Sequence, residues 1–329
     1  MSEEFPDRET IRSALMLATR APSVHNSQPW RWRVGSDSLH LYSDRDLHLR
    51  HTDPDTRDLM LSCGAALNHL VVAFAALGWQ STVHCFPNPA DTGHLAAIEL
   101  DRWLANRVDI ALAAAIPMRR TDRRNYSSWL VPQGDIALMG ARAALAGVTA
   151  RRVKSVRGLA QVMAEAARQH AADHDYMNEL RVWSGRHASP TGVPARNVPE
   201  PDPHALIPGR VFAGAELTQT PDGTPAQHSG VVLALGTTDD DATSRLRAGE
   251  AMSLVLLTAT SAGLASCPMT EPLEIADLRA AVRQDVFGDT LFPQMLLRVG
   301  WAPVNADPLP ATPRRELAEV VAQLDGSPF

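Results

Sequence analysis

Two stretches of this chain repeat one another. Displacing the sequence by 185 positions brings Gly64, Ala66, Gly78 and Ser81 onto Gly249, Ala251, Gly263 and Ser266. Leu67, Val71 and Val72 fall on Met252, Leu256 and Leu257. Each stretch reads as a long apolar helix stopped by a glycine, then a strand that opens at a serine. The competing reading is a chance alignment of two alanine-rich helices. A true duplication constrains the fold strongly: two similar halves, packed as a pseudo-dimer within one polypeptide. The length of 329 residues suits two domains, or one domain of two halves.

Composition excludes some classes. Apolar residues make up 45% of the chain and charged residues 21%, the balance of an ordinary globular protein. The formal net charge of −6 gives no bulk electrostatic reason to bind nucleic acid, so any basic cluster needs a local purpose. The three cysteines, Cys63, Cys85 and Cys267, have no metal-ligand spacing, and no histidine has zinc-type spacing. No metal is expected, and a sparse, odd cysteine set fits a reducing cytoplasm. The acidic opening "MSEEFPDRET" does not read as a secretory signal. The apolar windows Gly64–Trp79 and Ala251–Ala265 fall short of the ~20 residues that span a bilayer, so both are expected to be buried core helices rather than membrane segments.

Along the chain, Glu9–Thr19 reads as a helix ended by Pro22, "WRWRV" and "LHLY" as a hairpin, and Asp55–Leu77 as a long helix. "STVHCF" and "LAAIEL" read as strands, and Asp109–Ile116 as a helix ended by Pro117. The segment from His170 to about Phe212 breaks the pattern, with six prolines from Pro190 to Pro208 and little periodicity after Trp183. So long an excursion is a lid, a binding loop or a passive surface loop. A lid is the preferred reading, with Tyr176, Leu180, Trp183 and Phe212 as its anchors.

Four stretches carry chemistry. "APSVHNSQPW" (Ala21–Trp30) sets Ser, His, Asn and Gln between two stiffening prolines, a pattern suited to a ligand clamp. "RRTDRR" (Arg119–Arg124) places four guanidiniums and the Thr121 hydroxyl where the chain turns after an apolar helix. Guanidiniums offer paired donors to phosphate, although a charge run is more often a solvated face. "TPRREL" adds Arg314 and Arg315 behind a proline, and two arginine clusters in an acidic chain point to one shared anion. "GLASCPMTEPLE" follows the second core helix, and Pro268 confines it to a sheet edge or a strand end. There is no G-x-G-x-x-G, P-loop, H-E-x-x-H or G-x-S-x-G motif, His25 has no triad partner, and no catalytic side chain is nominated.

In this order, "APSVHNSQPW", "RRTDRR", "GLASCP" and "PRREL" resemble the FMN-dependent nitroreductase superfamily, and in particular its duplicated, Acg-type actinobacterial branch. The likeness runs from about residue 8 to about residue 322. It implies an α+β, nitroreductase-like fold duplicated within one chain. Residues 1–107 would form a degenerate first half. Residues 108–329 would form a second half with a lid-like insertion at about 170–215. The resemblance also implies cofactor contacts at Pro22, Ser23, Val24, Asn26 and Gln28, with Val24 departing from the usual serine. Arg119, Arg120, Thr121 and Arg123 would hold the phosphate and ribityl chain. Met269, Thr270 and Glu271 would meet the ring edge, and Arg314, together with Arg315, the phosphate. Each half lacks one part of the set, so one FMN per chain is expected, in a monomer that acts as a pseudo-dimer. NAD(P)H would be the hydride donor and a nitroaromatic or quinone the acceptor. A covered flavin face implies the alternative of FMN storage. A binding module for another phosphorylated ligand is the third reading.

Overall fold

The computed structural model describes residues 5–186, 189–202, 205–219 and 230–329. The first half runs α1 (Arg8–Ala18), β1 (Trp30–Val34), β2 (Leu39–Ser43), α2 (Arg57–Ala76), β3 (Trp79–Cys85) and β4 (His94–Arg102). The chain continues through α3 (Arg107–Met118), α4 (Gln133–Leu145) and β5 (Thr149–Arg152). An excursion follows, with α5 (Val156–Ala172), α6 (His174–Trp183) and the short strands β6 (Ser184–Arg186) and β7 (Val193–Pro194). Then come β8 (Val231–Thr237), α7 (Ala242–Ser261), β9 (Ala265–Met269), α8 (Ala276–Phe287) and β10 (Phe292–Gly300). The chain ends in α9 (Leu317–Val320) and β11 (Val321–Gln323).

The duplication is written in the topology. One sheet has the strand order β11-β1-β2-β4-β3 and the other β5-β8-β10-β9. From β1 to β3 and from β5 to β9 every neighbouring pair is antiparallel. A long helix joins the second and third strands of each half, α2 in one and α7 in the other. The chain adopts the expected α+β architecture of two sheets with flanking helices; the first sheet is mixed through the parallel β1–β11 pair, whereas the four strands of the second are all antiparallel. Pro268 lies in β9, at the edge of its sheet, as its missing amide requires.

The two long helices cross at their glycines. A Cβ on Gly64 would come within 2.0 Å of the Leu246 carbonyl oxygen, and one on Gly249 within 2.2 Å of the Leu61 carbonyl oxygen. These contacts are reciprocal, because Leu61 and Leu246 are themselves 185 positions apart. Asn68 and Ser253 form another pair at that offset and meet directly: the Ser253 hydroxyl donates to Asn68 Oδ1 at 2.6 Å. His69 Nδ1 sits 2.9 Å from the same hydroxyl, and burial above all holds its imidazole neutral, its pKa lowered to about 3. One apolar core runs through this crossing, from Leu15, Trp32 and Phe74 in the first half to Leu246, Leu256 and Leu297 in the second. α2 is long and apolar enough to cross a membrane, but it is buried here as a core helix.

Two details differ from the sequence expectation. α3 does not stop before Pro117 but continues to Met118. The proline sits in the last turn, where it removes a single amide donor, and Arg119 N still bonds the Ala115 carbonyl at 2.9 Å. After β10 the chain also crosses back to the first half, where β11 pairs in parallel with β1 (Trp32 opposite Val321). That return carries the Arg314 segment past the Ala21–Trp30 loop.

Candidate functional site

A cavity of about 300 Å³ opens where the two halves meet beneath the excursion. Pro22, Ser23, Val24 and His25, between α1 and β1, form one wall. The end of β9 and the turn after it contribute Cys267 through Glu271 as the floor. Asp58, Leu61 and Ser62 of α2 and Met252 of α7 close the back, and excursion residues including Ile207, Arg210 and Phe212 form the roof.

The wall is held in a costly backbone shape. His25, Asn26 and Gln28 have φ of 45°, 56° and 54°, in the left-handed region that side-chain-bearing residues rarely enter. Such strain persists only where surrounding bonds over-determine it, and it clusters at ligand sites. Those bonds are present. Gln28 N donates to Ser23 Oγ at 2.9 Å, and Val24 N to Ser62 Oγ of α2 at 3.1 Å. Asn26 Nδ2 donates to the carbonyls of Gly192 and Pro313, both at 3.2 Å, and Asn26 Oδ1 accepts from Arg314 Nη1 at 2.9 Å. Gln28 Nε2 donates to the Pro190 carbonyl at 2.8 Å, and its Oε1 accepts from Arg315 N at 2.9 Å. Asn26 and Gln28 therefore staple the wall to the excursion and to the C-terminal return, and neither side chain lines the cavity.

The other residues singled out from sequence divide in the same way. Pro22, Ser23, Val24, Thr121, Arg123, Met269, Thr270 and Glu271 line the cavity. Arg119 lies one step outside and donates to Thr121 Oγ1 at 3.4 Å. Arg314 donates to the carbonyls of Thr19, Arg20 and Ala21 at 3.0–3.1 Å. Arg120 reaches the carbonyls of Pro117 and Leu309. Arg315 turns away, toward Asp44 and Glu319. Arg124 is buried against Asp122 at 2.8 Å, a structural pair.

The electrostatics are lopsided. Arg20, Arg119, Arg120 and Arg314 converge, and none of them forms an ion pair with a carboxylate among the described residues. Burial first, then mutual repulsion, lowers the pKa of Arg119 to about 10 and of Arg314 to about 9. The Nε atoms of Arg20 and Arg119 are buried with no hydrogen-bond partner among the described residues. A concentration of buried positive charge with idle donors fits an anion with several acceptor oxygens. The cavity next to it offers Met252, Met269, Leu61 and Val24 to a flat apolar ring, and the Arg123 and Thr270 side chains to the ring's polar edge. The donor set thus fits a phosphate joined to a planar ring system.

No protein-family model matches the chain. A Mycobacterium tuberculosis (strain H37Rv) protein named "Putative NAD(P)H nitroreductase Rv3131" is 60% identical over 321 residues, 98% of this chain and 93% of that protein. The chain belongs to the nitroreductase family. A second relative of this nitroreductase-family chain, "Putative NAD(P)H nitroreductase acg" from the same organism, is 36% identical over 97% of each chain. Among solved structures, a protein described as a "putative nitroreductase" from Anabaena variabilis aligns over 92% of this chain and 90% of its own, at 9% identity and a TM-score of 0.48. The FMN-dependent nitroreductase NfnB from Mycobacterium smegmatis, in complex with NADPH, aligns over 65% of this chain and 98% of its own, at 17% identity and a TM-score of 0.40.

Sequence reasoning missed several residues of the nitroreductase-family cavity. His25, which has no triad partner in the sequence, lines the wall. Asp58, Arg210 and Arg298 line the cavity without belonging to any motif, and Cys267 lines it from within "GLASCP". Glu274 lies behind the floor, three positions after Glu271. His25 carried a signal in its place inside "APSVHNSQPW", and Cys267 and Glu274 in theirs inside "GLASCPMTEPLE"; Asp58, Arg210 and Arg298 arrive through long-range packing.

Proposed function

We propose that this protein binds one FMN per chain and uses it as an NAD(P)H-dependent oxidoreductase toward nitroaromatic or quinone-type acceptors, in the cytoplasm, as a monomer acting as a pseudo-dimer. The observation that carries the reading is the convergence of Arg20, Arg119, Arg120 and Arg314, without acid partners among the described residues and linked through Thr121 to a cavity that can take a planar ring. The names of the relatives support the nicotinamide assignment, and the complex of the mycobacterial neighbour includes NADPH. When bound, FMN supplies hydride transfer, and the chain's task is to hold it, orient it and exclude water. Arg119, Arg120, Thr121 and Arg314 would hold the phosphate end. Pro22, Ser23 and Val24 would form the wall, Arg123 and Met269–Glu271 would meet the ring, and Asn26, Gln28 and Arg315 would act by fixing that wall.

Division into residues 1–107 and 108–329, with a lid at about 170–215, belongs to the same reading. So does the single site. The position 185 residues before Glu271 is Phe86, which packs against the apolar core where Glu271 lines the cavity.

A second reading, FMN storage beneath a closed lid, is favoured by one observation: Arg210 and Phe212 reach from the excursion into the cavity lining. Protein reconstituted with FMN and desalted separates the two in an anaerobic absorbance experiment. Retained flavin that bleaches on adding NADPH or NADH supports the oxidoreductase, whereas retained flavin that stays oxidised supports storage. Loss of all flavin on desalting refutes both.

A further inference from the structure

Arg210 joins the excursion to the cavity at two points. Its side chain is only 10% exposed and forms an ion pair with Glu274, whose carboxylate is 1% exposed. The same Nη2 lies 3.4 Å from the Thr270 hydroxyl, and Thr270 in turn donates to Glu274 at 2.7 Å. Nη1 lies 2.6 Å from His25 Nε2. One guanidinium therefore spans from the floor, at Thr270 and Glu274, to the wall, at His25.

Two consequences follow from elementary chemistry. A guanidinium has only donors, so His25 Nε2 must accept. That ring is then neutral, with its proton on Nδ1. Burial, and next Arg210 and Arg123, hold the His25 pKa well below its ordinary value, in line with this. The second consequence concerns Glu274. The only other cation-forming side chain paired with it among the described residues is His170, whose Nε2 is 3.9 Å away. Withdrawing Arg210 would leave a buried carboxylate close to Glu271 and Asp58 with little compensation. Phe212, two residues on, meets the His25 ring edge-on at 5.6 Å, and the Arg123 guanidinium lies 4.9 Å from the centre of the Phe212 ring. The excursion is thus fastened to wall and floor by neighbouring residues.

We infer that Arg210 is a positioning residue that clasps the excursion over the cavity, setting the His25 tautomer and the Thr270–Glu274 floor, so that a bound ligand leaves only when the Arg210 clasp parts. The inference rests on the flavin reading for its kinetic probe alone.

The test compares the full-length protein with Arg210→Met, Glu274→Gln and the double variant, each loaded with FMN. Release is followed by the fluorescence of free FMN after dilution. The double variant removes both charges together and keeps the fold free of an unpaired buried ion. Each single variant is expected to release FMN at least tenfold faster. The double variant should be no faster than the quicker single, because both changes break one clasp. Nitrogen-15 NMR should show His25 with its proton on Nδ1 in the parent and a mixture of tautomers once Arg210 is methionine, which a merely space-filling role would not produce. Parent-like release from the double variant, or multiplying effects of the two single changes, would overturn the clasp. Should the parent retain no FMN, the flavin reading fails instead, and the His25 tautomer in the ligand-free protein still decides on Arg210.

Discussion

Arg119 and Arg314 each give up hydration in the folded chain, and among the described residues each faces other guanidiniums and pairs with no acid. An anion that binds here relieves that repulsion, and it binds only the folded state. Stabilisation then follows mass action, about 2.7 kcal/mol when the free ligand is a hundredfold above its Kd. FMN is therefore expected to raise the melting temperature by several degrees, and inorganic phosphate at millimolar concentration by less. Arg119→Met should melt no lower than the parent without ligand, because it removes a repelling charge along with its 3.4 Å bond to Thr121. It should also lose most of the response to phosphate. Thermal melts of both proteins with and without phosphate check this, and an undiminished phosphate response in the variant would move the anion site elsewhere. At this scale the sequence was legible in part. Adjacent arginines beside Thr121 could be read as a cluster, but their lack of acid partners could not. Arg124 has the same type and neighbourhood, and it is taken up by Asp122. Arg210 gave no sign at all, since its partners His25 and Glu274 lie 185 and 64 positions away.

At the scale of elements, α2 and α7 were readable because their signals are local: apolar content along each twenty-residue helix and a stop glycine, Gly78 or Gly263, two positions past its end. Less obvious was the purpose of the glycines inside them. Gly64 and Gly249 are the crossing point, where the backbones approach too closely for any Cβ. Gly249→Ala would place a methyl group 2.2 Å from the Leu61 carbonyl oxygen, and backbone cannot rotate out of the way as a flexible side chain can. The helices must separate, at a cost near or above the top of the ~1–3 kcal/mol typical of overpacking. That exceeds the helix propensity gained in replacing glycine by alanine, up to about 1 kcal/mol. Urea unfolding is expected to give a clearly lower midpoint for Gly249→Ala. Gly134→Ala, in α4 with nothing within 4 Å of its Cβ position, should match or exceed the parent. A Gly249→Ala midpoint equal to the parent would contradict the crossing. The sheets were less readable than the helices. β11 has three residues and no distinctive pattern, and only its pairing with β1, nearly the whole chain away, makes it a strand.

The whole molecule behaves as a dimer whose subunits have been joined, and the joining shows in what each half cannot do alone. α2 is buried on nearly every face, and one apolar core includes residues from both halves. A first half expressed alone would expose the face of α2 that α7 covers, including Leu61, Gly64 and Asn68, and β1 would lose β11 from its edge. The second half alone would carry Arg119, Arg314 and the floor but lack the wall at Pro22–His25. The loop at residues 103–106, between β4 and α3, has Leu104 fully in solvent (90% exposed) and is the natural place to cut. We expect residues 1–104 and 105–329, produced separately, each to aggregate or remain unfolded. Produced together, they should assemble into a one-to-one complex that binds FMN with the affinity of the intact chain, because the interface that unites them is the core itself. Size-exclusion chromatography and FMN titration of the co-produced halves would measure this. A first half that is folded and monomeric alone would mean that α2 finds another cover, and the shared core would not be what makes the two halves one protein.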